Sequence, residues 1–386
     1  MVIAWRALLV LPLVAASLTP AVPGLTIAPS ASTQPKIMGI WVYPNSTSVN
    51  TITDSAARDR FFASAKASQV NMVYVSVYRS ATNSKGRQLY DETALAAFVG
   101  TAHANGMRVY AEYGSPTWHT DGCGTPDSPT WVAKRLLEIG AYNATKPRIQ
   151  VKTATSSSYV DASFDGVILD IEPSRPIDYN ALVSFYHCAA DIALKNHYGM
   201  AAAISAFWND PATYQGVTKE AYKHVVNAGL DHLVLMGYRN FAGTNRCADG
   251  DGMICLDQDI LTYANSNAIV IGLETTATPE VAKESFHIKG QTTMNREVQK
   301  MVDYLNGIKL NYGGFSIDSY QDKYLTGVGS WPSSNASFPT GNTKAPGPGA
   351  RRESVVRVTS IEEDGYVIAE ELPSTLEAET EPTNPN

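Results

Sequence analysis

The stretch Asp165-Gly166-Val167-Ile168-Leu169-Asp170-Ile171-Glu172-Pro173 decides the fold. Val167, Ile168, Leu169 and Ile171 are apolar and mostly β-branched, as a short buried strand requires. Successive strand side chains point to opposite faces. Ile168, Asp170 and Glu172 therefore share one face, and Val167, Leu169 and Ile171 share the other. A buried strand that ends in two acids needs a reason, because burying a charge is costly. In parallel sheets and barrels the carboxyl ends of the strands carry the chemistry. Glu172 is the candidate catalytic acid, and Asp170 is the candidate group that tunes it.

Outward from this stretch, strand-like and helix-like segments alternate. Strands are expected over residues 37–43, 71–78, 107–113, 165–172, 199–207, 232–238, 268–273 and 312–317. Helices are expected between them. Asp54, Asp91 and Asp178 stand where N-caps belong, and Ser128-Pro129 reads as a helix start. Further helices are expected over 218–227, 256–265 and 292–305, and residues 146–162 read as a polar insert. Eight strand-then-helix units within about 300 residues predict an α/β chain folded as a single (β/α)₈ TIM barrel. The first strand leads into Pro44-Asn45-Ser46-Thr47, not a Gly-rich phosphate loop, which argues against a doubly wound nucleotide-binding sheet.

The 386 residues are 44% hydrophobic and 17% charged, an ordinary globular balance. The net charge of −7 sits almost wholly at the C-terminal end, where nine acids and three arginines follow position 350. A nearly neutral folded part excludes the basic face that a nucleic-acid partner needs. Arg6 followed by an apolar run over 7–18 predicts a signal peptide over 1–21, too short to span a membrane. The expected plan continues with a Ser/Pro-rich spacer over 22–35, the barrel domain over 36–332 and a disordered acidic, low-complexity tail over 333–386. The mature protein is expected to be secreted, monomeric and without a membrane partner. Its four cysteines suit an oxidising compartment: Cys247 with Cys255, leaving Cys123 with Cys188. Sequons stand at Asn45, Asn143 and Asn335, so the chain reads as a candidate glycoprotein.

Collected in order, the strand ends supply Trp41, Tyr43, Tyr78, Arg79, Glu112, Tyr113, Asp170, Glu172, Phe207, Trp208, Tyr238, Arg239, Glu274, Asp318 and Tyr320. Trp118 and His119 follow the third strand. Aromatics stack on the C–H faces of sugars and carboxylates bind their hydroxyls, so the ring predicts a carbohydrate groove. The expected substrate-binding residues are Trp41, Tyr43, Tyr78, Tyr113, Trp118, Trp208, Arg239 and Asp318. The expected catalytic residues are Glu172, Asp170, Glu274 and Tyr238. No cofactor is expected, and no metal: the histidines lack zinc spacing, and Asp249, Asp251, Asp257 and Asp259 do not complete a calcium loop.

The fourth-strand motif resembles glycoside hydrolase family 18, the chitinase family, whose pattern is Asp-Gly-X-Asp-X-Asp-X-Glu. Asp165-Gly166, Asp170 and Glu172 match; Ile168 stands where the family has its innermost Asp. Met236-Gly237-Tyr238 fits the family's sixth-strand Met-X-Tyr, and Phe315 and its neighbours lack its eighth-strand Trp. The resemblance implies that Glu172 protonates the glycosidic oxygen, Asp170 positions the substrate's N-acetyl group as nucleophile, and Tyr238 helps hold that group. Glu274, ending Ile269-Val-Ile-Gly-Leu-Glu274, is similar instead to the nucleophile of retaining barrels that carry a second Glu after strand seven. That plan implies a carboxyl pair about 5–5.5 Å apart. Asp-Ile-Glu-Pro with Glu-Thr also resembles secreted, poorly characterised glycosidase-like barrels. The first two imply a retaining glycoside hydrolase acting on a polysaccharide or glycan, and the third implies a fold and a site but no substrate; a lectin-like barrel without turnover is the alternative.

Overall fold

The computed structural model describes residues 36–44, 50–78, 89–125, 127–152, 157–244, 252–278 and 280–320, and the strands 355–361 and 367–372. Eight parallel strands close into a barrel in chain order. They are β1 (Ile37–Val42), β2 (Met72–Ser76), β3 (Arg108–Tyr113), β4 (Gly166–Asp170), β5 (Gly199–Ser205), β6 (His232–Met236), β7 (Ile269–Glu274) and β8 (Gly314–Tyr320). Closure comes from β8 pairing with β1, Gly314 opposite Ile37 and Ile317 opposite Ile40. The expected barrel is thus present. The signal peptide, the spacer, Arg79, Cys247, and the Asn45 and Asn335 sequons lie outside the described residues.

The two faces of each strand separate as their alternation predicts. Trp41, Tyr74, Tyr110, Ile168, Ala201, Ala203, Val234 and Val270 form one buried cluster inside the barrel. Val167, Leu169 and Ile171 join the larger cluster between the strands and the helices. Inside, three large rings from β1 to β3 are balanced by alanines from β5, which fills the cross-section without overlap. Gly166 is required here, since a Cβ would collide with the Tyr110 ring and the Gly199 carbonyl.

A polar layer closes the N-terminal pole. The Tyr74 hydroxyl lies 2.8 Å from His232 Nε2, and the Tyr110 hydroxyl donates to Asp231 Oδ2 at 2.7 Å. Burial pushes the His232 imidazole down to about 3, so it is neutral and satisfied by Tyr74 without a counter-ion. With that pole plugged, the C-terminal pole is left for chemistry.

Among the described residues seven helices surround the strands: α1 (Ser55–Ala67), α2 (Glu92–Ala104), α3 (Trp131–Ala144), α4 (Tyr179–Lys195), α5 (Ala221–Val226), α6 (Met253–Ala264) and α7 (Gly290–Gly307). Short turns at Trp118–Asp121 and Val281–Glu284 add to them. Asp54, Asp91 and Asp178 cap α1, α2 and α4 by accepting from first-turn amides, as expected. Two expected helix starts shift. Ser128–Pro129 pairs with Gly124–Thr125, and α3 begins only after Thr130, whose hydroxyl accepts from Ala133 N. Residues 217–220 form a hairpin with 211–214, so α5 starts at Ala221. The β-branched Val217 and Thr218 favour the strand over the helix.

The insert and the tail also differ from expectation. Arg148–Lys152 and Ser157–Asp161 form an antiparallel hairpin. Val355–Ile361 and Val367–Leu372 form a second hairpin, and the latter strand runs parallel to Arg148–Lys152. The acidic tail expected to be disordered therefore holds two strands. Their runs of Val, Ile and Thr complete the open edge of the insert.

Cys123 and Cys188 are bridged, with Cα atoms 6.2 Å apart, tying the loop after β3 to α4. Cys255 is disulfide-bonded as well. The Asn143 sequon has a structural use: its amide donates to Phe164 O at 2.8 Å and accepts from Phe164 N at 2.8 Å.

Candidate active site

The C-terminal pole gathers carboxyls from four strands. Glu112 comes from β3, Asp170 and Glu172 from β4, Glu274 from β7 and Asp318 from β8. All but Glu172 are largely withdrawn from water. The sheet forces this grouping. Tyr110 and Ile168 lie inside the barrel, so the next inward positions toward its mouth are Glu112 and Asp170. Glu274 and Asp318 are direct register partners on β7 and β8.

Glu172 is exposed, two residues beyond the end of β4. It lines a cleft of about 260 Å³ together with Arg175, Tyr179, Phe207, Trp208 and Tyr238. Tyr238 links this cleft to the buried acids. Burial raises its hydroxyl far above the usual phenol range, and Asp318, Asp170, Glu274 and Glu172 add to the effect. Tyr43, half-buried at the end of β1, is raised by burial and by Asp318, Asp170 and Glu112. The two tyrosines thus stand among the carboxyls as neutral hydrogen-bond donors.

Asp170 is held well above the ordinary carboxylate range, first by burial, then by Glu112 and Glu172. Its Oδ1 is buried and has no hydrogen-bond partner. Glu274 is tethered: its Oε1 accepts from the Thr276 hydroxyl at 2.6 Å and from the Thr276 amide. It also shares a hydrogen bond with Asp318, whose carboxyl is raised well above the ordinary carboxylate range, first by burial and then by Glu274. Arg239 Nη1 donates to Tyr238 O at 2.6 Å and lies 3.8 Å from Glu284.

Several expected sugar contacts are placed elsewhere. Trp41 is 3% exposed and packs on Tyr74, with ring centroids 4.8 Å apart, so it belongs to the barrel core. Tyr113 and Tyr78 are buried against each other at 4.7 Å on the outer side of the strands, and Trp118 packs on Tyr113 at 6.1 Å. Alternation explains this: Glu112 takes the inward position, so Tyr113 must face the helices. Arg239 likewise points outward, beside Glu284. Trp208 lines the cleft but is only 2% exposed, its ring packed on Tyr186. Phe207, 43% exposed, lines the cleft and was not among the expected substrate-binding residues. Glu112 was visible as a strand-end acid, but its inward direction needed the register.

No protein-family model matches the chain, and no curated protein does. Among solved structures, the chain is similar to the spore cortex-lytic enzyme SleL of Bacillus megaterium QM B1551. The identity is 13%, the match covers 75% of this chain and 72% of that one, and the TM-score is 0.47. It is similar to a chitinase from Bacteroides thetaiotaomicron at 14% identity, covering 74% and 90% with a TM-score of 0.48. It is also similar to a class V chitinase from Pseudomonas fluorescens Pf-5 at 11% identity, covering 74% and 95% with a TM-score of 0.47. These likenesses assign no residue a role, and the chemistry below rests on this chain's own side chains.

Among the described residues no group of His, Cys, Asp and Glu is arranged to hold a metal ion, and no helix is long and apolar enough to cross a membrane.

Proposed function

We propose that this chain is a glycoside hydrolase acting on a polysaccharide or glycan, with Glu172 as the general acid. One observation carries the reading. Glu172 is an exposed carboxyl on the wall of a cleft at the C-terminal mouth of the barrel, beside an exposed Phe207 and above a nest of buried acids. Cleaving a glycosidic bond needs a proton for the leaving oxygen and stabilisation of the cationic sugar ring left behind. Glu172 has the exposure to give the first. Tyr238, through its hydroxyl, and Asp170, through its carboxyl, are the groups to orient a polar substituent of the sugar. Phe207 offers a flat apolar surface for the sugar's C–H face.

Glu274 is the weaker choice for a covalent nucleophile. One of its oxygens is taken up by Thr276, and the carboxyl is joined to Asp318. It is 4% exposed. We therefore read a retaining reaction in which a substituent of the substrate attacks, and Glu274 with Asp318 braces the floor of the site. The Cys123–Cys188 bridge supports secretion, since such bridges persist in oxidising compartments.

Reducing-end release from a panel of purified polysaccharides and oligosaccharides tests the function. Glu172→Gln is expected to lower turnover by roughly 10²-fold or more while glycan binding persists. Undiminished turnover in that variant removes Glu172 from the role. The apolar Ile168 in the strand-four motif favours a second reading, a sugar-binding barrel without turnover. Saturable binding by the wild type with no release from any glycan would establish that reading instead.

A further inference from the structure

Arg175 lines the cleft that holds Glu172, and its side chain is exposed. It is the one cation among the residues that line that cleft. Among the described residues it has no ion pair and no hydrogen bond. The neighbouring acids are engaged elsewhere. Asp178 caps α4 by accepting from Ala181 N at 3.0 Å, and Asp210 accepts from the Tyr179 hydroxyl. The segment that carries Arg175 is pinned at both ends. Ile171 is fully buried, and Ile177 and Tyr179 pack against the core. Between them, Pro173 and Pro176 each fix a backbone φ. The guanidinium is thus carried by a segment with little backbone freedom left to lose on binding.

We propose that Arg175 is a specificity-determining residue: it selects glycans whose sugar, bound in the cleft beside Glu172, carries an oxyanion, either a carboxylate or a sulfate ester. The inference deepens the glycosidase reading and rests on it for the reaction, while the recognition itself rests on the cleft. On an open surface an arginine is simply solvated. A sugar entering this cleft displaces water from its walls, and a charge that loses water without gaining a partner costs affinity. A neutral sugar can use Phe207 as an apolar surface and Glu172 as an acid, but it offers the guanidinium no counter-charge. An acidic sugar uses all three. The planar fork of a guanidinium donates two parallel hydrogen bonds to the paired oxygens of such a group, which adds direction to the charge attraction. Phe207 follows β5 and Arg175 follows β4, neighbouring strands of the barrel, so the apolar surface and the cation are supplied by adjacent segments of one mouth.

The test compares matched glycans on the full chain. Carboxylated polysaccharides are set against the same polymers with their carboxyls reduced to alcohols, and sulfated polysaccharides against their desulfated forms. Reducing-end release and equilibrium binding are both read. The wild type is expected to prefer the acidic member of one pair by about tenfold or more, and the pair that shows it identifies the oxyanion. Arg175→Gln is expected to shrink that acidic-to-neutral ratio by about tenfold, with the loss in KM. Arg175→Lys keeps the charge without the fork and is expected to fall between the two. A purely structural role would lower both members of a pair alike and leave the ratio where it was. An unchanged ratio in Arg175→Gln, or a wild type with no acidic preference in any pair, overturns the proposal. Should Arg175→Gln fail to fold, Arg175→Lys decides by the same ratio. The two readings fail separately. Acidic preference in binding that Arg175→Gln abolishes, with no release from any glycan, ends the glycosidase reading and keeps Arg175 as the anion-recognising group. Hydrolysis with no charge preference keeps the glycosidase and ends the role of Arg175.

Discussion

Glu274 and Asp318 face each other across β7 and β8 as register partners, carboxyl to carboxyl, with Asp318 donating a hydrogen bond to Glu274. Two acids so close and so buried cannot both ionise readily. The pair holds a proton that either group alone in water would have lost. That proton lets the sheet tolerate two acids at one spot without a cation. It also makes the pole of the barrel sensitive to pH in a calculable direction.

An acid whose folded value is raised keeps its proton after the unfolded chain has released its own. Its contribution to stability is complete below the unfolded value, about pH 4, and is lost as pH rises toward the folded value. Asp318 is raised by burial first and then by Glu274, so it belongs to this class. Asp318→Asn keeps a donor for Glu274 and removes the titration. The wild-type Tm is therefore expected to fall more steeply than that of Asp318→Asn between pH 4 and pH 8, by about 3 °C or more. Calorimetry across that range checks it; parallel slopes would refute the shared proton.

Burial separates two aromatics that the sequence put in one class. Trp118 is 1% exposed, in the shell with Tyr113 and Trp131. Trp118→Ala is expected to cost about 3–5 kcal/mol in denaturant unfolding, as large core deletions do. Phe207 is exposed in the cleft. Phe207→Ala is expected to leave stability within about 0.5 kcal/mol and to weaken glycan binding roughly tenfold. The reverse pattern would move the binding surface away from the cleft.

The Cys123–Cys188 bridge closes a sequence separation of 65 residues that includes all of β4. A loop of that size corresponds to about 4 kcal/mol of stabilisation through the unfolded chain. The double variant Cys123→Ser with Cys188→Ser is expected to unfold at correspondingly lower denaturant. Because the bridge anchors α4 beside the cleft, turnover below the transition should survive. Loss of turnover with full stability would place the bridge in the site itself.

Much of this was legible in the residues. The alternation of strand and helix patterns determined a closed parallel barrel, because eight strands buried on both faces have few other ways to satisfy their edges. Period-two alternation in Val167 to Glu172 separated the inward acids from the outward aliphatics, and the caps at Asp54, Asp91 and Asp178 marked helix starts. The Cys123–Cys188 pairing was an expectation that the residues alone left open, and the structure supplies the bridge. Harder to see were the strands of the insert and tail. They pair across about 200 residues, and no local pattern carries the identity of a partner that distant.

Tertiary structure alone decided which strand-end residues meet. Trp41, Tyr113 and Trp118 had the right composition for a sugar surface, yet register and helix packing put them in cores. Glu274 was read as a candidate nucleophile and Asp318 as a sugar contact; only barrel closure made the two direct register partners. The physical reason is one of range. A side chain's face is fixed by its own strand over a few ångströms of chain, so sequence determines it. Its electrostatic neighbours come from other strands, brought near only when the sheet closes and excludes water.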